Sequence, residues 1–176
     1  ANFDPFEAKH RANDYIEGNA WQYLWMVPHQ VPNLIKLLGG EKVFLQRLDE
    51  FFKTEQALGS EASHDITGLI GQYAHGNEPS HHIAYLYTYA GRPDKTAERV
   101  REIMRKFYSA APDGLVGNED VGQMSAWYVL SALGLYPVNP NSAQFVFGSP
   151  IVDNALFKLN KDKILKINTK NNSAQN

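Results

Sequence analysis

The chain has 176 residues, of which 43% are hydrophobic, and its 17 basic and 19 acidic side chains give a net charge of −2. Nucleic acid is not an expected partner, because binding to a polyanion needs a clustered basic face and no long basic run is present. The absence of cysteine excludes disulfides, thiolate nucleophiles and cysteine-bound metals. No stretch reaches the roughly 20 apolar residues of a membrane-spanning helix, so we expect no such segment.

Two segments, residues 41–54 and 94–108, are predicted to be outer-layer helices. In both, apolar side chains recur at helical spacing and share one face, while charged side chains occupy the other. Pro93 suits the start of the second helix, because its missing N–H would have no partner there. The two apolar sets are Phe44, Leu48, Phe51 and Phe52, and Val100, Ile103, Met104 and Phe107.

Residues 83–90 and 124–133 carry almost no charge, so we expect inner-layer helices that are covered on every side. After residue 140 the pattern changes to short alternating stretches that are typical of strands. These predicted strands are residues 144–148, 155–159 and 163–167, followed by a polar tail at 168–176. The chain is therefore predicted to be mainly α, with helices in residues 1–140 and a short β-strand segment with a polar tail in 141–176.

Three polar turns, each with a Gly-Asn pair, precede apolar helical stretches at residues 17–23, 75–82 and 117–125. If each turn leads into an inner helix, all three lie at the same end of the helical layer. Their carboxylates, amides and histidines would then converge at one mouth, as in a polar site built on a helical scaffold. The alternative is that these polar residues only cap helices and interact with helix dipoles.

The acidic residues of these turns suggest a specific chemistry. Glu78, next to Pro79 and among histidines and aromatic residues, is expected to have a raised pKa through desolvation and to act as a proton donor. A second, solvated carboxylate from Glu119 or Asp120 would stay ionised and activate water. Two carboxyl groups in different environments are the requirement of glycoside hydrolysis.

Among metals, calcium fits the sequence better than zinc. His81 and His82 are adjacent, so on a helix they point about 100° apart and cannot hold one ion together. Carboxylate, amide and backbone oxygens suit a hard ion such as calcium, although residues 118–120 lack the spacing of an EF-hand loop. Motifs for a nucleophilic serine, a phosphate-binding loop or a dinucleotide cofactor are absent from the sequence.

Four segments resemble the signatures of glycoside hydrolase family 92. They are EGNAWQY at residues 17–23, GQYAHGNEPSHH at 71–82, PDGLVGNEDVGQMSAWY at 112–128 and GSP at 148–150. Members of this family are bacterial, calcium-dependent, inverting exo-α-mannosidases, often described as α-1,2-mannosidases. They pair an N-terminal β-sandwich with an (α/α)6 barrel and closing strands.

The resemblance implies a partial (α/α)6 barrel, or α/α toroid. Residues 1–140 would be the last helical hairpins of the catalytic barrel, and residues 141–176 a few C-terminal β-strands that follow it. The N-terminal β-sandwich of the same enzyme would then be a partner of this chain.

The resemblance also implies roles for single residues. The family's general acid falls on Glu78, and the base that activates water is either Asp120 or an aspartate beyond residue 176. Calcium would lie beside the terminal mannose, with Asn77 and Glu119 as ligands. The predicted substrate-binding residues are Glu17, Trp21, His75, Asn77, His81, Asn118 and Glu119.

Two positions depart from the family pattern. Gln30 stands where many relatives have an aspartate, which bears on affinity for the sugar or the metal. Asn118 stands where a histidine accompanies α-1,2 preference, so the linkage stays open. We expect hydrolysis of terminal α-linked mannose from glycans, in the periplasm or outside a bacterial cell. The alternative is a carbohydrate-binding or scaffold piece without activity of its own. A lyase would need a tyrosine or histidine base, which the context of Glu78 argues against.

Overall fold

The structure is a computed structural model that describes residues 4–9, 11–12 and 14–172. It is rich in helices, as predicted. The α-helices are α1 (Ala20–Tyr23), α2 (Val31–Leu37), α3 (Glu41–Lys53), α4 (Leu86–Tyr89), α5 (Pro93–Phe107) and α6 (Gln123–Ala132). Short 3-10 turns occur at Pro28–Gln30, Glu78–Ser80, Ile83–Tyr85 and Pro140–Ser142.

The strands are short and form antiparallel pairs of neighbours in sequence. The pairs are β1 (Arg11–Ala12) with β2 (Tyr15–Ile16), β3 (Leu69–Ile70) with β4 (Tyr73–Ala74), β5 (Leu135–Tyr136) with β6 (Val146–Phe147), and β7 (Asn154–Lys158) with β8 (Ile164–Asn168). The three strands predicted after residue 140 correspond to β6, β7 and β8. Residues 173–176 of the predicted tail lie outside the described residues.

The two outer helices are confirmed. α3 buries all four of its predicted apolar side chains, and α5 buries Val100, Ile103 and Met104 and half-buries Phe107. Asp49 on α3 joins the helices, because it accepts a hydrogen bond from Tyr87 Oη at 2.9 Å and pairs with Lys95 on α5.

The two predicted inner segments differ from each other. Residues 83–90 form a 3-10 turn and the short helix α4, and the side chains of residues 83–87 are completely buried. α6 buries Met124 and Trp127 but exposes Ser125, Ala126 and Val129. Complete cover of α6 was therefore a wrong expectation for this chain, because the described residues pack against one side of that helix.

The segment at residues 148–150 connects the strands to the end of α6. Gly134 has φ +76°, and a Cβ atom there would lie 2.7 Å from Pro150 Cδ, so glycine permits the close approach. Arg101 on α5 holds the same segment, since its Nε donates to Ser149 Oγ at 3.1 Å and its Nη2 to Asn172 Oδ1 at 2.6 Å. In the described part of the chain, no helix combines the length and the apolarity needed to cross a membrane.

Candidate active site

The three polar turns meet, as the sequence predicted. Asn77 Nδ2 of the second turn donates to the Glu17 carbonyl oxygen of the first turn at 2.8 Å. The second and third turns touch through their backbones, because a Cβ atom on Gly117 would lie 3.2 Å from the carbonyl oxygen of Gly76. Gln123 Nε2, just after the third turn, lies 3.0 Å from His81 Nδ1. The candidate site is therefore the common end of these three turns.

The first turn leads into α1 through a capping box. The Asn19 side chain accepts from Gln22 N at 3.2 Å, and the Gln22 side chain accepts from Asn19 N at 2.8 Å. Asn19 Nδ2 also donates to Gln72 Oε1 at 2.9 Å, which ties the turn to the loop between β3 and β4. The capping alternative is thus correct for Asn19, while the Glu17 side chain is left half-buried at the mouth.

Glu119 also has a capping role at the start of α6. Its Oε1 accepts from Ser125 N at 3.0 Å and its Oε2 from Ser125 Oγ at 2.9 Å. Carboxylates at a helix N-terminus satisfy N–H groups that lack a partner within the helix. Its neighbours Asn118 and Asp120 are exposed.

Glu78 starts the 3-10 turn Glu78–Ser80, and its side chain is exposed at the mouth. Partial burial raises the pKa of its carboxyl group. The Asp120 carboxyl group raises this pKa further through its charge and a side-chain hydrogen bond, and the Glu17 charge adds to the effect. Carboxyl groups from the first and third turns thus act on the Glu78 carboxyl group of the second turn.

His75 is completely buried and both of its ring nitrogens are engaged. Tyr73 Oη lies 2.7 Å from Nδ1, and Tyr108 Oη lies 2.6 Å from Nε2. Burial and the nearby His81 lower the pKa of His75 to about 2, so its ring is uncharged at neutral pH. A sugar meets no free nitrogen and no exposed face of this ring, so the prediction that His75 contacts the substrate is not supported by its position.

His81 is also buried, and both of its ring nitrogens have hydrogen-bond partners. Its Nε2 donates to the His75 carbonyl oxygen at 2.9 Å, and its Nδ1 faces Gln123. Burial lowers its pKa to about 4. Direct contact of His81 with a sugar is therefore not supported either. The structure adds Tyr108, Gln123 and Trp127 to the site's surroundings; only the last two lie in a motif that the sequence analysis singled out.

Trp21 and Asn77 both contact residues near the start of the chain. The Trp21 ring packs 5.6 Å from the Phe6 ring, and it lines a pocket of about 460 Å³ together with Tyr15, Tyr23 and other residues. Asn77 is buried, and its side-chain amide nitrogen donates a hydrogen bond to the Glu17 carbonyl oxygen.

The predicted calcium ligands do not form a metal site by themselves. Among residues 4–9, 11–12 and 14–172, no three histidine, aspartate or glutamate side chains converge closely enough to hold an ion. Both Glu119 oxygens already accept hydrogen bonds from Ser125. Calcium takes about six to eight oxygen ligands, so Asn77 and Glu119 would supply a small part of such a shell.

Two solved structures of mannosidases are similar to this chain. The α-mannosidase BT3965 of family GH92 from Bacteroides thetaiotaomicron, in complex with mannoimidazole, is 40% identical with a TM-score of 0.91, over 99% of this chain and 23% of that one. The inverting mannosidase BT2199 of family GH92 from Bacteroides thetaiotaomicron is 34% identical with a TM-score of 0.80, over 98% of this chain and 24% of that one.

A curated relative and a family model agree with this similarity. A secreted glycosidase from Arthroderma benhamiae, named as uncharacterized, is 32% identical over 142 residues, which are 81% of this chain and 16% of that protein. The chain thus spans less than a quarter of the length of these three relatives. The family model for the glycosyl hydrolase family 92 catalytic domain matches residues 1–176. The chain therefore belongs to glycosyl hydrolase family 92 and corresponds to part of its catalytic domain.

Proposed function

We propose that the protein is part of an inverting exo-α-mannosidase that removes terminal α-linked mannose from glycans. The observation that carries this proposal is the placement of Glu78 at the common end of three turns, where partial burial and the charges of Asp120 and Glu17 raise the pKa of its carboxyl group. The similarity to an α-mannosidase that binds mannoimidazole and to an inverting mannosidase supports the substrate and the stereochemistry.

In this mechanism Glu78 is the general acid. Its raised pKa favours the protonated form, and its exposed carboxyl group can reach a glycosidic oxygen at the mouth. As the bond to the anomeric carbon breaks, the Glu78 proton passes to the departing oxygen. At the same time water attacks the anomeric carbon from the opposite face of the sugar and gives a proton to the base, which inverts the configuration.

We propose that the base for that water is an aspartate beyond residue 176 and not Asp120. Acid and base of inverting enzymes stand roughly 6.5–9.5 Å apart to leave room for the water. The Asp120 carboxyl group raises the pKa of Glu78, which suits a neighbour that helps to keep the acid protonated.

We also propose that residues 1–140 belong to an (α/α)6 barrel that other helices of the enzyme complete, and that an N-terminal β-sandwich is a separate domain of the same enzyme. The exposure of Ala126 and Val129 on α6 supports the barrel, because an inner barrel helix needs cover on both sides. The secreted relative supports a location outside the cytoplasm, in the periplasm or at the bacterial surface.

Calcium remains a proposal that rests on the family resemblance. When bound, it would supply a positive charge beside the sugar hydroxyls. The test is removal of metal from the full-length enzyme with EDTA, followed by addition of calcium or magnesium. We expect loss of α-mannosidase activity and recovery with calcium but not with magnesium. α-Mannosidase activity that EDTA does not change would contradict the calcium proposal.

The Glu78→Gln variant of the full-length enzyme tests the central assignment. We expect kcat on an α-1,2-linked mannobiose, or on whichever mannobiose linkage the enzyme accepts, to fall by roughly 10²–10⁴-fold, because the amide cannot donate the required proton. Glu98→Gln, on the exposed side of α5, is the matched control and should keep wild-type turnover.

Two outcomes would contradict the proposal. Wild-type turnover in the Glu78→Gln variant would show that Glu78 is not the acid. Release of α-mannose as the first product anomer, followed by NMR, would contradict inversion. A wild-type enzyme that binds mannose without hydrolysing any α-mannoside would support the carbohydrate-binding alternative instead.

A further inference from the structure

We propose that His75 and His81 are positioning residues, whose rings fix the turn that carries Glu78 against α6 through two directed chains of hydrogen bonds. This inference rests on the proposed function, because it concerns the placement of the proposed acid. It replaces direct sugar contact as the role of these histidines.

The first chain runs from Tyr73 through His75 and Tyr108 to α6. Tyr108 Oη donates to the Met124 carbonyl oxygen at 3.1 Å, so its oxygen accepts from His75 Nε2 at 2.6 Å. The proton of the uncharged ring is then on Nε2, and Nδ1 accepts from Tyr73 Oη at 2.7 Å. Every donor in this chain therefore has one acceptor, and the direction is fixed by the carbonyl at its end.

The second chain runs from Gln123 at the start of α6 through His81 to the second turn. A carbonyl oxygen can only accept, so His81 Nε2 donates to the His75 carbonyl oxygen at 2.9 Å. His81 Nδ1 then accepts from Gln123 Nε2 at 3.0 Å. The side chain of one histidine thus holds the backbone of the other.

These contacts hold the turn on both sides of Glu78. The His75 carbonyl oxygen lies three residues before Glu78 and accepts from His81, while the His81 carbonyl oxygen lies three residues after it and accepts from Trp127 Nε1 at 3.0 Å. Both anchor points lead to α6, which also begins directly after the third turn. The position of Glu78 relative to that turn is therefore set by the two histidines.

Aromatic packing keeps the His75 ring in this orientation. Trp127 contacts it edge-on at a centroid distance of 4.4 Å, and Phe107 stacks on it at 5.8 Å with an interplanar angle of 11°. The His81 ring lies 5.0 Å from it. Rotation of either ring would leave buried N–H or carbonyl groups without partners, which costs about 1–3 kcal/mol for each group.

The test uses the full-length enzyme with Tyr108→Phe and Gln123→Met, which each break one chain, and with Tyr85→Phe as matched control. Tyr85 is a buried core tyrosine whose Oη bonds to Ser131 Oγ on α6 at 2.7 Å, so Tyr85→Phe removes a buried hydrogen bond to the same helix that belongs to neither chain. Each variant is assayed on a mannobiose and on 2,4-dinitrophenyl α-mannoside. The first substrate needs protonation of its leaving group, and the second needs little.

We expect Tyr108→Phe and Gln123→Met to lose roughly tenfold in kcat on the mannobiose, with KM within about twofold, because a displaced acid slows proton transfer without weakening substrate binding. Both should keep close to wild-type kcat on the aryl mannoside. Tyr85→Phe should leave kcat on both substrates unchanged. Thermal unfolding of all variants reports the folded fraction by which rates are corrected.

An equal loss on both substrates, or rates like those of Tyr85→Phe, would overturn the positioning role. The Glu78→Gln variant on the same two substrates separates this failure from failure of the proposed function. If Glu78→Gln loses activity mainly on the mannobiose while Tyr108→Phe and Gln123→Met do not, only the positioning inference is contradicted. If the wild type hydrolyses neither substrate, both fall.

Discussion

Glu17 and Asp120, two of the four acidic residues at the candidate site, have backbone angles in the left-handed region, with φ of 56° and 52°. Val121 follows with φ of 57°, although a β-branched side chain is strongly disfavoured there, and it is fully exposed. Residues held in such conformations cost about 1–3 kcal/mol each and cluster at functional sites. This strain agrees with a functional role of the first and third turns.

The Gly117→Ala variant tests how closely the second and third turns must approach. Gly117 has φ +78°, and an added Cβ would lie 2.7 Å from Thr67 Oγ1 and 3.3 Å from Gly76 Cα. We expect the full-length variant to lose roughly 1–3 kcal/mol of unfolding free energy and to lose activity. Urea unfolding and α-mannoside turnover measure the two effects.

Gly59→Ala is the control, because nothing lies within 4 Å of its Cβ position. Wild-type stability and activity in Gly117→Ala would contradict the close approach.

At the scale of elements, α3 and α5 are joined by Asp49, Lys95 and Tyr87. Burial opposes ionisation of Asp49, but hydrogen bonds from Lys95 and Tyr87 and nearby positive charges outweigh it, so the pKa of Asp49 is below its usual value. A carboxyl group whose pKa is lower in the folded state stabilises the fold above its unfolded pKa. That contribution is lost as the pH falls through the folded pKa.

The Asp49→Asn variant should therefore be less stable than wild type at pH 7, by about 1 kcal/mol. The difference should shrink as the pH falls below the usual aspartate pKa, because the wild type then loses the same charge. Chemical unfolding of the full-length enzyme from pH 7 downwards measures it. Asp113→Asn, at an exposed loop position, provides the comparison. A difference that stays constant with pH would contradict the role of the charge.

At the scale of the whole molecule, α6 is the element whose surroundings are incomplete in this chain. Val129 is 55% exposed here, but an inner barrel helix would have this side covered by other helices. In the full-length enzyme we expect Val129→Asp to lower the unfolding free energy by roughly 2–4 kcal/mol, because a buried carboxylate would lack a partner.

Val43→Asp on the outer helix α3, where Val43 is 36% exposed, is the comparison and should cost less than Val129→Asp in the full-length enzyme. Denaturant unfolding compares the two variants. Equal, small effects would show that α6 is not covered and would contradict the proposed barrel.

The sequence by itself determined the outer helices, the three late strands and the meeting of the polar turns. Amphipathic periodicity fixes which side of α3 and α5 is buried, and Gly-Asn turns before apolar stretches fix which ends of the helices carry polar groups. Even the capping alternative was correct for Asn19 and Glu119, because short polar side chains at helix starts have predictable partners.

Only the tertiary structure decided what the histidines and Asp120 face. A motif that contains His75 and His81 gives no sign of whether their rings point to a sugar or into a core, since that depends on Trp127, Phe107 and Tyr108 from distant parts of the chain. The effect of Asp120 on the pKa of Glu78 likewise depends on how the second and third turns pack. Local sequence determines elements because their hydrogen bonds and periodicity are local. The site is made by contacts between residues far apart in the chain, and only the folded structure brings these together.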